Sequence, residues 1–338
     1  MKPAFSSGIV RLQECRPVVL CIWLASLAVV SALGGTACSN DRPPPVKVAE
    51  PVAPPPPPPE PPKPAQAAAP YRAKLSSRGA ELYLPTWFSA RAAGYDLIVH
   101  FHGLGKLQEG NLDRSQLNAA VVTINLGVST ELYGNAFRDP HSFQKLVAEA
   151  QEEVDKSGRV PGARLGRIAL SAWSAGFVSV AKIMSAPENA EKIDAVIVAD
   201  GFFTSLTNLK KRTVNSASIE RFATLAQAAT KDEKLFAISH SSIPTVDYAS
   251  TEETAAKLLE MTSSTKTPSS NVGPRNMHET YVVDRGAFHV KGYEGVTAGD
   301  HIKQITALGE TLYPYLKSRW EQPEAGAVAA RAGASAPR

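Results

Sequence analysis

Ser174 stands in Ile168-Ala169-Leu170-Ser171-Ala172-Trp173-Ser174-Ala175-Gly176-Phe177, where an apolar run closes on a small-x-Ser-x-Gly turn and helix-forming residues follow. A serine on a sharp strand-to-helix turn projects its hydroxyl from the end of a sheet, and the turn is too tight for large neighbours. Such a serine becomes a nucleophile only beside a base that an acid orients. The base expected here is His301 in Gly299-Asp300-His301-Ile302, at the start of the last helical segment. The acid expected is Asp200 in Ala199-Asp200-Gly201-Phe202, directly after an apolar run. Acyl transfer also needs two backbone N–H donors aimed at the developing oxyanion. On this reading they are the amides of Leu104, in the His102-Gly103-Leu104 turn, and of Ala175, next to the serine.

Each assignment has a rival. Asp247, after the next apolar run and His240-Ser241-Ser242, competes as the acid, and Asp200 could instead cap the following turn. His289 competes as the base; it lies within the strand-like Phe288-His289-Val290 and is otherwise expected as a supporting residue of the pocket. His100, His102 and Gly103 shape the oxyanion turn. Alternatively, His100 and His102 could ligate a metal with Asp200 and His289 or His301, although no acid or further histidine follows at once to complete a ligand set. Ser179-Val180-Ala181-Lys182 matches a Ser-x-x-Lys pattern but has no companion motif.

These residues need a scaffold, and the chain alternates strand-like and helix-like segments. Residues 80–84, 95–101, 119–126, 167–171, 193–199 and 235–239 read as strands, and 142–156, 251–261 and 302–319 as helices. Short apolar runs bounded by polar residues suit strands buried on both faces. The fold class expected is therefore α/β, with a mostly parallel central sheet flanked by helices and its site at the carboxyl ends of the strands. Residues 130–138 read as a polar-aromatic loop in which Tyr133, Phe137 and Arg138 could line a pocket, or as a surface loop with aromatic anchors. Residues 204–217, with Lys210, Lys211 and Arg212, read as a solvated charge run or a basic lid. Trp173 and Phe202-Phe203 suggest an apolar wall.

Taken together, the chain resembles an α/β-hydrolase across 71–320. The resemblance rests on His102-Gly103, the turn around Ser174, an acid at a later strand end and the late His301, in the chain order Ser–acid–His. It implies ester or amide chemistry on a small-molecule or envelope-polymer acyl substrate, with neither metal nor organic cofactor. Fold does not fix function, so a catalytically inactive binding module on the same fold and the metal-dependent hydrolase stand as alternatives.

The remaining segments carry address rather than chemistry. Lys2, Arg11 and Arg16 precede an uncharged, mostly apolar run over 17–33, and small residues lead to Cys38. This is the pattern of a secretory signal over 1–38, and its end resembles a bacterial lipobox, although Gly35 stands where leucine is usual. Lipidation of Cys38 would anchor the protein to a membrane in the bacterial cell envelope after secretion across the inner membrane. Residues 39–70 form a Pro/Ala-rich linker with polyproline II character, and 321–338 a disordered tail. The three cysteines all precede residue 39, so the domain has no disulfide, thiolate site or cysteine nucleophile. A net charge of +4 without a basic aromatic stripe gives no ground for nucleic-acid binding.

Overall fold

The computed structural model describes residues 69–321 apart from Ala93. The expected signal, the lipidation site at Cys38, nearly all of the linker and all but the first residue of the tail lie outside the described residues.

The strands are β1 (Tyr71–Lys74), β2 (Glu81–Leu84), β3 (Tyr95–Phe101), β4 (Ala120–Ile124), β5 (Leu165–Trp173), β6 (Ile193–Ala199), β7 (Leu206–Asn208), β8 (Thr213–Val214), β9 (Leu235–His240), β10 (Thr267–Pro268), β11 (Val272–Gly273), β12 (Met277–Arg285) and β13 (Phe288–Tyr293). The helices are α1 (Gly105–Ser115), α2 (Thr130–Ala136), α3 (Pro140–Lys156), α4 (Phe177–Met184), α5 (Pro187–Ala190), α6 (Ser216–Ala229), α7 (Thr251–Met261), α8 (Ala298–Thr306), α9 (Leu308–Thr311) and α10 (Tyr313–Glu321). The main sheet runs β1-β2-β4-β3-β5-β6-β9-β13-β12-β10, with β11 beside β12. From β4 to β13 every pairing is parallel. Antiparallel strands border this block on both sides.

The two-residue period of a strand explains the layering. In β3, Leu97, Val99 and Phe101 join one core with residues of α3, α4, α6 and α7. Ile98 points the other way and packs with Leu112 of α1 and with Leu308, Leu312 and Trp320 of the C-terminal helices. Both faces are thus buried, which is why the central strands read as continuous apolar runs.

Three expectations are corrected. The segment 130–138 is not a loop: 130–136 forms α2, with Glu131 in its first turn, and of the two roles left open Tyr133 and Phe137 take that of buried anchors, not of pocket residues. Gly134, which argues against a helix in the sequence, lets α2 approach α4, since a Cβ there would lie 3.2 Å from Val178 Cγ1. The expected helix over 302–319 is three helices. Pro314 cannot donate a helical hydrogen bond, and Gly309 is needed where a Cβ would stand 2.2 Å from the Asn111 carbonyl oxygen. The charge run 204–217 holds the β7–β8 hairpin. Its Arg212 is no lid cation: it pairs with Glu253 at 2.6 Å and donates to the carbonyls of Val246 and Tyr248.

At the amino-terminal end of the sheet, buried Asp96 takes both Arg91 and Arg167, the latter at 3.0 Å, and Arg167 also donates to the Trp320 carbonyl. Asp96→Ala leaves two guanidinium groups without their anion. It should lower stability by about 3 kcal/mol, read as a reduced denaturant midpoint at unchanged slope.

Candidate active site

The neighbouring strands β3, β5 and β6 each run directly into a non-glycine residue with positive φ: His102 at 74°, Ser174 at 50° and Asp200 at 43°. Left-handed backbone costs an L-residue about 1–2 kcal/mol, so packing must hold it. Glycine supplies the room. A Cβ on Gly176 would lie 2.2 Å from the Phe101 carbonyl oxygen, and one on Gly201 would lie 2.7 Å from both the nitrogen and the oxygen of Ser174. The ends of the three strands are therefore wedged against one another, and Ser174 projects from the middle one.

His301 lies in the first turn of α8, which a reciprocal Thr297–Asp300 capping box fixes. Its Nδ1 donates to Asp200 Oδ2 at 2.8 Å, which leaves Nε2 as the proton acceptor. The buried Asp200 carboxylate also receives the Ser241 hydroxyl at 2.6 Å and the Ser241 amide at 3.0 Å. Ser174, Ala175, Asp200 and His301 line one cleft of about 830 Å³. The parts for base-assisted attack by a serine thus face a common space.

Trp173 organises the rear of this site. Its ring stacks on His102 at 4.7 Å and tilts against His301 at 4.6 Å, while its Nε1 donates to the His301 carbonyl at 3.0 Å. Burial pushes the His102 imidazole below its ordinary value, and His301 across the indole adds to that. His100 sits deeper: its Nδ1 accepts from the Ser171 hydroxyl and its Nε2 donates to the His102 carbonyl, each at 2.8 Å. The structure thus makes His100, His102 and Gly103 the frame of the turn leading to Leu104. Gly103, with φ 104°, packs under Ile305, whose Cδ1 would be 2.4 Å from a Cβ there. The Leu104 amide finds no acceptor among the described residues and precedes α1, whose first turn carries no acid.

The rival residues stand elsewhere. Asp247 lines the outer cleft, exposed and without a hydrogen bond or ion pair among the described residues, while His301 is held by Asp200. His289 does not support the pocket: strand alternation turns it to Asp284 at 2.7 Å and onto the Tyr315 ring at 3.8 Å. Among the described residues no three of His, Cys, Asp and Glu gather as a metal ligand set. His100, the first ligand of the metal alternative, has both ring nitrogens engaged within the core. Ser179 is buried and donates to the Tyr133 carbonyl. Of the expected apolar wall, Phe203 lines the cleft, whereas Phe202 is buried among Phe177, Phe222 and Phe236. The Ser241 anchor is absent from the sequence reading; its position directly after β9 is the one signal that could have found it.

Sheet order, crossovers and the strand–turn–helix around Ser174 define an α/β-hydrolase fold. No family model and no curated protein matches the sequence. Among solved structures, the chain is similar to a feruloyl esterase module from Clostridium thermocellum (13% identity over 75% of this chain and 90% of that one, TM-score 0.41). It is also similar to a ferric enterobactin esterase from Salmonella typhimurium (10%, 72% and 59%, 0.43) and an acetyl xylan esterase from Aspergillus awamori (13%, 71% and 99%, 0.40).

Burial pushes His100 down to about 3 from an ordinary 6.5. Below the ordinary value the unfolded chain binds the proton that the folded chain refuses. The stabilisation is complete above that value and is lost as pH falls toward 3. Between pH 7 and 5 the wild type should lose about 2 kcal/mol more stability than His100→Gln, measured by denaturant titration.

Proposed function

We propose that the protein is a serine hydrolase that cleaves an ester or amide through an acyl-enzyme. The observation that carries this reading is the 2.8 Å contact of His301 with Asp200 in the cleft that Ser174 lines. His301 Nε2 takes the Ser174 proton as the hydroxyl attacks the acyl carbon, then returns it to the leaving group. Water repeats the sequence to release the acid. Asp200 fixes the imidazole tautomer and balances the charge that forms on it. The amides of Leu104 and Ala175 receive the oxyanion. Both open onto helices whose first turns carry no acid, so the positive helix ends act undiminished at that point.

The chemistry is metal-independent in this proposal, and the location is the cell envelope, with Cys38 lipidated and the linker as a spacer. The topology suits a tether. Tyr71 pairs with Leu84 and Tyr83 with Val121, so the chain enters the sheet at the amino-terminal ends of the parallel strands, opposite the cleft.

Hydrolysis of para-nitrophenyl acetate tests the reading. Wild-type turnover should vanish in Ser174→Ala and fall about 10⁴-fold in Asp200→Asn, which loses the orienting charge. Full activity in both variants would remove the proposal.

A further inference from the structure

The outer cleft has a charge pattern that the hydrolytic apparatus does not use. Among the described residues no Lys or Arg lines it. Of its acids, Asp200 is occupied by His301 and Ser241, whereas Asp247 has no partner among the described residues. Several lining hydroxyls are already engaged. Thr204 meets Ser218, Ser205 Oγ accepts from Asn215, Thr245 Oγ1 donates to the Tyr248 carbonyl and Ser250 Oγ caps α7. What remains is an apolar lining of Val128, Phe203, Ile243, Tyr248 and Val296, the neutral hydroxyls of Thr130 and Thr251, and one uncompensated carboxylate. Tyr248 stands edge-on to Phe203 at 5.6 Å with much of its ring exposed, next in sequence to Asp247.

Helix ends reinforce the pattern. α1 and α4, which follow the two oxyanion amides, have no acid in their first turns. The helices that open at the outer cleft are different: α2 begins with Glu131, α7 with Glu252 and Glu253, and α8 with Asp300. Arg212 balances Glu253 and Lys303 balances Asp300, while Glu131 and Glu252 have no ion-pair partner among the described residues. The helix ends at the oxyanion position thus keep their positive end uncompensated, whereas those opening on the outer cleft carry acids. An anionic substrate would be repelled there and a cationic one drawn in.

We infer that the substrate is an ester or amide bearing an ammonium group, which seats between the Asp247 carboxylate and the exposed face of Tyr248. The carboxylate supplies charge and the ring a cation–π surface, while the apolar wall takes the rest of the molecule. The loop carrying both residues is clasped from behind by Arg212, which donates to the Val246 carbonyl, the Thr245 hydroxyl and the Tyr248 carbonyl. The specificity group is therefore presented on braced backbone. This inference rests on the hydrolase reading and names its substrate class.

Two matched pairs test it on the full domain. The para-nitrophenyl esters of ε-aminocaproate and heptanoate place the cation on the acyl side. Butyrylthiocholine and its neutral tert-butyl isostere place it on the leaving group. In at least one pair the wild type should favour the cation in kcat/KM by about 5–30-fold, and the preference should shrink as salt is raised. Asp247→Asn should bring that ratio close to one, and Asp247→Glu should retain most of it. Equal rates within both wild-type pairs, or a preference that survives Asp247→Asn, would overturn the inference while leaving the hydrolase reading intact. If even the neutral esters resist the wild type, the hydrolase reading falls and this inference with it.

Discussion

The site depends on one steric constraint: three adjacent strands must each end in a left-handed residue that is not glycine. A single such residue is a common cost of a turn; three side by side, at His102, Ser174 and Asp200, amount to a joint. Gly176 and Gly201 make it possible by having no side chain, which allows the turns to touch through backbone atoms. The strain is sustained by the two packed layers of helices, because each strand is pinned on both faces. Position and chemistry come from the same wedge: strand ends that cannot relax hold their side chains at fixed places along the rim of the cleft.

Polar groups are then divided by depth. Behind the rim, Trp173 separates the imidazoles of His102 and His301 and ties the second to the sheet through its backbone carbonyl. Ser241 fills the other valences of Asp200, so the carboxylate has no freedom to turn from His301. In front, the unengaged groups are few, and the one that carries charge, Asp247, is negative. In the proposed reaction, a cleft of this kind would separate the task of stabilising a developing anion from that of choosing a substrate, with different helix ends serving each.

Burial on both faces makes much of this fold legible in the amino-acid sequence. The runs 95–101, 193–199 and 251–261 coincide with β3, β6 and α7, and the residues directly after the apolar runs at 101, 173 and 199 are those brought to the rim. Chain order places Ser174, Asp200 and His301 near each other because parallel strands with right-handed crossovers deliver successive carboxyl ends to one side. The features that escape a reading of the chain are tertiary in origin. Gly134 looks like a breaker in sequence, yet it serves a close approach of α2 to α4. The helical pattern over 302–319 hides two breaks forced by Gly309 and Pro314. His289 carries a reactive side chain, but its parity in β13 turns it to Tyr315, away from the cleft. Ser241 has no motif of its own; its role exists only because β9 lies beside β6.

The proposed hydrolysis requires Ser174 to be an activated nucleophile, and covalent capture measures that property itself. The domain is incubated with a fluorophosphonate and digested, and the modified peptide is sequenced by mass spectrometry. A single adduct on Ser174 is expected, absent when the protein is unfolded beforehand. Failure of the folded domain to react, or an adduct carried by another residue, would show that Ser174 is not the nucleophile.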